Sequence, residues 1–160
     1  MSDTDSGDIV SPEAGRQMGA ILFACNINAV RSAMAEAMVK HAFPGKIFVD
    51  SCGVSPGIQD GFATAVMREI GLDMSAHEPK SFDDLDSGFY DVIISFSPEA
   101  HHAARALTHN IDCETFYWPV DNLANIMGSR EEMLRAYRHV RDDIRGKLSI
   151  YFGKEILGNT

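Results

Sequence analysis

A cysteine and an arginine, separated by five residues, join an apolar run to a helix-forming stretch in the segment CNINAVR, residues 25–31. In a turn from a strand to a helix, such a segment can curl so that its backbone N–H groups point into one concavity. The positive end of the helix dipole adds to that field. Arg31 would close the ring with a planar donor fork that matches two phosphate oxygens. The same field favours the thiolate form of Cys25, so the spacing predicts an oxyanion site with a sulfur nucleophile.

The spacing alone also fits a structural interpretation. Cys25 is equally compatible with a buried thiol that packs as a small hydrophobe at the end of a strand. Arg31 is also compatible with a solvated charge at the start of a helix. A cation is mildly unfavourable there, so Arg31 at this position calls for an anionic partner.

The net charge and the distribution of apolar residues exclude some classes of binding partner and a membrane span. The 160 residues carry a net charge of −9, from 23 acidic and 14 basic side chains, which disfavours nucleic acid and anionic membranes as partners. No apolar run approaches the roughly 20 residues of a membrane span. Residues 1–18 are acidic and lack the pattern of a signal peptide, so we expect a flexible tail before a single domain at residues 19–160.

The number and spacing of the cysteines bear on the compartment in which the protein is found. The three of them, Cys25, Cys52 and Cys113, are odd in number and widely spaced, so they form neither a zinc pattern nor a disulfide framework. We therefore expect a reducing environment and a cytoplasmic location.

Strand-like and helix-like segments alternate along the chain. The strands are predicted at residues 20–24, 47–51, 90–96 and 115–118, and the helices at 32–41, within 57–71, at 98–107 and from 129 onward. Ser32 is predicted to cap the first helix, and the sequence SREE at 129–132 forms a capping box for the last one. The order predicts an α/β, three-layer fold with a four-stranded, mostly parallel sheet flanked by helices. Ligands of such sheets bind beyond the carboxyl ends of the strands.

The stretch ILFACNINAVRSAMAEAM, residues 21–38, resembles the signature of the low-molecular-weight protein tyrosine phosphatases. That signature is a strand, then C-x-G-N-x-x-R-S, then a helix with MAEA. The resemblance continues through VDS at 49–51, GLDMSAH at 71–77 and YDVIISF at 90–96, and covers residues 19–152. It implies a four-stranded parallel sheet and hydrolysis of phosphate monoesters through a cysteinyl-phosphate, without metal or cofactor. The related thioredoxin-coupled arsenate reductases share the fold and the turn.

The resemblance also implies roles for individual residues. Cys25 would be the nucleophile, and Arg31 would bind the phosphoryl oxygens. Asn28 would hold the loop in a strained conformation, which fits the tolerance of asparagine for the left-handed region. Ser32, Ser51 and His77 would form the hydrogen-bond network around it. The implied phosphate-binding residues are Asn26, Ile27, Asn28, Ala29, Val30, Arg31 and Ser32.

This chain departs from the family pattern at several positions. Ile27 stands where the family has glycine, so its backbone must avoid positive φ or carry strain. Val30 replaces a second cysteine of many members, which leaves Cys25 more exposed to irreversible oxidation. Cys52 and Cys113 are not at the resolving positions of the thioredoxin-coupled reductases, which counts against arsenate reduction by that route.

The general acid is the least well defined element. The family uses an Asp-Pro pair after the last strand, and the corresponding segment here is WPVDNLA, residues 118–124. Asp121 is the candidate acid, although Asn122 and Leu123 can also be aligned with the pair, which would leave no acid. Alternation predicts that one of Tyr117 and Trp118 is a core residue. His101 and His102 diverge on a helix and are predicted to lie on the surface.

The main functional prediction is a phosphatase acting on a phosphorylated protein or a small aryl phosphate. Two alternatives stay open. One is an arsenate reductase that uses an external thiol, since the oxyanion site fits arsenate equally well. The other is a non-catalytic module that binds phosphate or a phosphoprotein.

Overall fold

The computed structural model describes Ile9 and residues 19–157. The strands are β1 (Ala20–Cys25), β2 (Phe48–Gly53), β3 (Val92–Ser95) and β4 (Glu114–Tyr117), and the helices are α1 (Arg31–Ala42), α2 (Gly61–Arg68), α3 (Pro98–Thr108) and α4 (Arg130–Phe152). Two short 3-10 helices, Phe82–Asp84 and Ser87–Phe89, lie between α2 and β3.

The four strands form one parallel sheet in the order β2-β1-β3-β4. The predicted sheet is thereby confirmed. The chain leaves β1 toward β2 and then returns across β1 to β3, so the connections diverge beside the carboxyl end of β1. This is the switch point at which open α/β sheets bind their ligands.

Helices cover both faces of the sheet, which confirms the three-layer architecture. Every residue of β1 is buried, as expected for a central parallel strand. Its side chains alternate: Ile21, Phe23 and Cys25 join the larger core cluster with α1, α2 and α4, whereas Leu22 and Ala24 face the smaller cluster with α3. Cys25 therefore ends a rigid strand on the three-helix face.

The capping signal of the last helix has the structural role that the sequence predicts. The capping box of α4 forms, with the Ser129 side chain accepting from the Glu132 amide and the Glu132 side chain accepting from the Ser129 amide. Gly71, with a φ of 83°, follows α2 in the left-handed region. Asp60 caps the start of α2 by accepting hydrogen bonds from two backbone amides.

Two predictions about single residues are wrong. Ser32 does not cap α1, because the helix begins at Arg31 and its N-cap, Val30, makes no side-chain capping bond. The Ser32 side chain is instead buried in the hydrogen-bond network described below. His101 is buried rather than on the surface, because its ring stacks on that of Tyr117 with 5.7 Å between centroids, while His102 is exposed.

The predicted tail, residues 1–18, lies outside the described residues except for Ile9, which packs against the larger core cluster. Within the part of the chain that the structure describes, none of the helices has the length and apolar character needed to cross a bilayer.

Candidate active site

The C-x5-R loop, residues 25–31, leaves the end of β1 and enters α1. The backbone carbonyl groups of four successive residues, 25 to 28, all accept hydrogen bonds from groups outside the loop. The donors are the amides of Val54 (3.0 Å), Ser55 (3.0 Å) and Gly57 (2.9 Å) and Nε2 of His77 (2.8 Å). Because a peptide unit is planar, holding its carbonyl outward directs its N–H to the opposite side.

The backbone amides of residues 26–32 have no hydrogen-bond acceptor among the described residues. Three of these amides belong to the first turn of α1 or directly precede it, where N–H groups have no partner within the helix. Unpaired donors on the inner side of a curled loop, next to the positive end of a helix, are the components of an anion-binding nest.

Gly53 makes this loop geometry possible, and the sequence interpretation missed it. A Cβ at position 53 would lie 2.7 Å from the amide nitrogen of Asn28 and 2.8 Å from the carbonyl oxygen of Asn26. These distances are too short for a Cβ, and the atoms it would meet belong to the backbone, so a side chain at position 53 would displace the loop. The available signal was a glycine two residues after the predicted second strand, at the sheet edge where ligands bind.

Asn28 is the centre of the hydrogen-bond network beneath the loop. Its φ is 56°, in the left-handed region, as predicted. Its Nδ2 donates to Oγ of Ser32 (2.9 Å) and Oγ of Ser51 (2.8 Å), and its Oδ1 accepts from the amide of Lys80 (3.0 Å). The structure thus brings Ser32, Ser51 and, through the Asn28 carbonyl, His77 together as predicted. Ile27 is not among the described residues with positive φ.

Glu36 extends the network, and the sequence interpretation also missed it. It belongs to the MAEA segment of α1, is buried, and accepts a hydrogen bond from the Ser51 hydroxyl. Nδ1 of His77 lies 3.9 Å from its carboxylate. A glutamate within an otherwise apolar, buried helix face was the signal, because buried carboxylates require partners.

The sulfur of Cys25 lies 3.0 Å from the hydroxyl oxygen of Ser32. That hydroxyl also lies 3.3 Å from the carbonyl oxygen of Cys52. Since a thiolate can only accept, the ionised sulfur would accept a hydrogen bond from the Ser32 hydroxyl, which would donate to it in preference to the more distant Cys52 carbonyl. Ser32 can thus stabilise the nucleophilic form of Cys25.

Cys25 is reached through a cavity of about 140 Å³, here called the Cys25 cavity. The loop side of the cavity is formed by residues that include Asn26 and Arg31, and the opposite side by Asp60, Tyr137 and the segment after β4. The Asp60 carboxylate is already engaged: Oδ1 caps α2, and Oδ2 accepts the Tyr137 hydroxyl at 2.7 Å. Asp60 and Tyr137 hold α2 against α4 at this wall.

Arg31 is buried, and its guanidinium is oriented by backbone carbonyls. Nη1 donates to the carbonyl oxygens of Phe96 and Val120, both at 3.0 Å. Burial lowers the pKa of Arg31, and the negative charge available at Cys25 and Glu99 opposes that shift. An arginine remains protonated under these conditions, so the site keeps a fixed positive charge.

Asp121 lines a second cavity of about 340 Å³, here called the Asp121 cavity, and Arg31 lines this cavity as well as the first one. Glu99 and Tyr117 also line it. Asp121 is exposed and does not line the Cys25 cavity, whereas Asn122 lines both. The structure therefore does not bring the predicted acid to the sulfur. Trp118 is the core residue of the aromatic pair, and Tyr117 faces the Asp121 cavity.

The thiols of the other two cysteines do not face this site. Cys52 belongs to the smaller core cluster, on the sheet face opposite Cys25, and burial raises the pKa of its thiol. Cys113 precedes β4 at the other end of the sheet, and burial raises its pKa to about 11.

The sequence model of the low molecular weight phosphotyrosine protein phosphatases matches residues 20–156. The chain belongs to this family of enzymes. A glutaredoxin arsenate reductase of Synechocystis sp. is 37% identical over 78 residues, which are 49% of this chain and 60% of that protein. The chain thus spans less than two thirds of that relative.

Solved structures of an arsenate reductase and of a tyrosine phosphatase share the fold of this chain. An arsenate reductase in its phosphate-binding state is 26% identical, with a TM-score of 0.65 over 83% of this chain and 95% of that one. The tyrosine phosphatase AmsI of Erwinia amylovora is 18% identical, with a TM-score of 0.69 over 89% of this chain and 99% of that one.

Proposed function

We propose that the protein hydrolyses phosphate monoesters, with phosphotyrosine or a similar aryl phosphate as substrate and Cys25 as nucleophile. The observation that carries the proposal is the outward anchoring of the loop carbonyls, which leaves the amides of residues 26–32 free beside the sulfur. Such preorganised donors stabilise the charge of a phosphoryl group during transfer.

In the first step, the Cys25 thiolate attacks phosphorus in line with the ester oxygen. The S–P bond forms as the P–O bond to the leaving group breaks, and the leaving oxygen takes a proton from Asp121. The loop amides and Arg31 hold the three equatorial oxygens. Because Asp121 lines the neighbouring cavity, this step requires the segment after β4 to shift so that Asp121 takes the place of Asn122.

In the second step, water attacks the cysteinyl-phosphate. The O–P bond forms, the S–P bond breaks, and the Asp121 carboxylate takes the water proton. Inorganic phosphate leaves and the thiolate is regenerated. General acid–base assistance of this kind is worth about 10²–10⁴-fold in rate.

The test is hydrolysis of p-nitrophenyl phosphate by the wild type, Cys25→Ser and Asp121→Asn. We expect Cys25→Ser to be inactive because an unactivated hydroxyl is a poor nucleophile. Asp121→Asn should lose about 10²-fold or more on phenyl phosphate, whose leaving group needs a proton, and less on the nitrophenyl ester. Hydrolysis that survives in Cys25→Ser would exclude the mechanism.

Arsenate reduction with an external thiol is the second candidate. It is favoured by the similarity to arsenate reductases. The thiol of Cys52 lies on the sheet face opposite Cys25, and Cys113 precedes β4 at the other end of the sheet, so the reducing thiols would have to be external. Cys25 would displace hydroxide from arsenate to form an S–As(V) bond. An external thiol would then attack the Cys25 sulfur, which breaks the S–As bond, leaves its electron pair on arsenic as As(III) and forms a mixed disulfide with Cys25. A second external thiol would release the Cys25 thiolate and leave a disulfide between the two external thiols.

Arsenite release that depends on added glutathione or glutaredoxin would support the second candidate. Its absence with several reductants would count against it. Phosphate binding without turnover of aryl phosphates or arsenate would instead assign the chain to the class of phosphate-binding modules.

A further inference from the structure

Asn26 follows the proposed nucleophile and carries a side-chain group that the mechanism above does not use. Its Oδ1 atom is buried and has no hydrogen-bond partner among the described residues. Buried polar atoms in folded proteins are nearly always paired, because desolvation without a partner is costly. An unpaired acceptor at a candidate site therefore points to a ligand that brings a donor.

The position of Asn26 supports this interpretation. Asn26 lines both the Cys25 cavity and the Asp121 cavity, as Arg31 does. Its backbone is fixed, since its carbonyl oxygen accepts from the amide of Ser55 at 3.0 Å. The residue that carries the unpaired acceptor thus belongs to the wall around the space that an oxyanion on Arg31 would occupy.

The chemistry of Oδ1 is opposite to that of the rest of the loop. The free amides of residues 26–32 and the guanidinium of Arg31 are all donors. An amide oxygen can only accept. An oxyanion oxygen without a proton is repelled by it, whereas an oxygen that carries a proton donates to it.

We propose that Asn26 is a specificity-determining residue that selects tetrahedral oxyanions bearing at least one O–H group. Monohydrogen phosphate and monohydrogen arsenate belong to that class, and sulfate does not. For an ester substrate, the same contact favours the monoanion, whose phosphoryl group keeps one O–H. The inference deepens the proposed function and rests on the same oxyanion site, but it does not require turnover.

The test compares dissociation constants for sodium phosphate and sodium sulfate at pH 7 and constant ionic strength, measured by titration calorimetry. Sulfate has no proton at this pH, and phosphate keeps at least one. We expect the wild type to bind phosphate about tenfold more tightly than sulfate, the contribution of one buried hydrogen bond. Asn26→Leu, of similar size but without an acceptor, should bring the ratio to about one.

Two further variants separate this role from a structural one. Asn26→Asp keeps the acceptor, so it should retain a preference for phosphate while binding both anions more weakly, because it adds a negative charge. Asn122→Leu is the matched control, since Asn122 lines the same two cavities but its Oδ1 already accepts from the amide of Ala124 at 3.0 Å. We expect Asn122→Leu to keep the wild-type ratio.

A wild-type ratio near one, or a wild-type ratio that persists in Asn26→Leu, would overturn the inference. If p-nitrophenyl phosphate is hydrolysed through Cys25 but the wild type does not prefer phosphate to sulfate, the proposed function stands and the inference about Asn26 is wrong. If the wild type prefers phosphate and Asn26→Leu loses that preference, but no ester is hydrolysed, the role of Asn26 stands and the phosphatase proposal is wrong. Thermal unfolding of each variant with and without phosphate shows whether a lost preference reflects lost folding.

Discussion

Asn28 combines a left-handed backbone with a fully hydrogen-bonded side chain, and together these fix the conformation of the C-x5-R loop. Its backbone lies in the left-handed region, and its side-chain amide is bonded to two hydroxyls and one backbone amide. Left-handed conformations cost free energy in non-glycine residues and persist only where surrounding contacts impose them. The hydrogen bonds of Asn28 impose it here.

Asn28→Ala should lower the free energy of unfolding by about 2–4 kcal/mol, because it leaves buried partners unpaired and keeps the backbone strain. It should also lower kcat/KM for p-nitrophenyl phosphate at least tenfold, since the amides lose their orientation. Urea denaturation and initial rates measure the two effects. Asn125→Ala, at an exposed loop position, is the control and should change stability by less than about 0.5 kcal/mol. Wild-type stability in Asn28→Ala would contradict this account.

At the scale of elements, the connection after β2 acts as a template for the C-x5-R loop. β2 extends two residues beyond the predicted strand, to Gly53, and the following amides continue the pairing with the loop carbonyls. The close approach of the two backbones at Gly53 is what allows this pairing. The loop shape therefore depends on a neighbouring element as much as on its own sequence.

Gly53→Ala should abolish measurable hydrolysis while the secondary structure remains, because the added methyl group would overlap the backbone of Asn26 and Asn28. Circular dichroism and phosphate titration distinguish a displaced loop from an unfolded chain. Gly61→Ala is a matched control, because its Cβ would meet nothing within 4 Å. Equal activity in both variants would show that the close approach at position 53 is not required.

At the scale of the whole molecule, the sheet separates the thiols. Ala24 pairs with Cys52, and Cys25 pairs with Gly53, so Cys25 and Cys52 are diagonal neighbours with side chains on opposite faces. A disulfide between them would require a rearrangement of both strands, because its geometry demands facing Cβ atoms.

Mild peroxide should therefore oxidise Cys25 to sulfinic and sulfonic acids without forming a Cys25–Cys52 disulfide in the native state. Cys52 and Cys113 should stay largely unmodified, since burial raises the pKa of both thiols. Phosphate should slow the oxidation of Cys25 by occupying its cavity. Peptide mass spectrometry after quenching measures each product. The same treatment in urea is the control, and a native Cys25–Cys52 cross-link would refute the two-face arrangement.

The sequence by itself determined the strands and helices, the parallel sheet and the curled loop. Those features follow from side-chain periodicity, residue spacing, caps and turn residues, which act over a few neighbouring positions. The misassigned cap at Ser32 has the same origin, since a hydroxyl near a helix start also suits a partner from a distant strand. The strained conformation of Asn28 was implied by the resemblance to the phosphatase family.

Only the tertiary structure decided that Gly53 and Glu36 matter, that the side-chain oxygen of Asn26 is left unpaired, and that Asp121 lines one cavity while Asn122 lines two. Each of these facts depends on segments far apart in the chain that the strand order brings together at one end of the sheet. Local patterns carry no information about which distant backbone approaches a residue. Burial and hydrogen-bond pairing at the site are set by that approach.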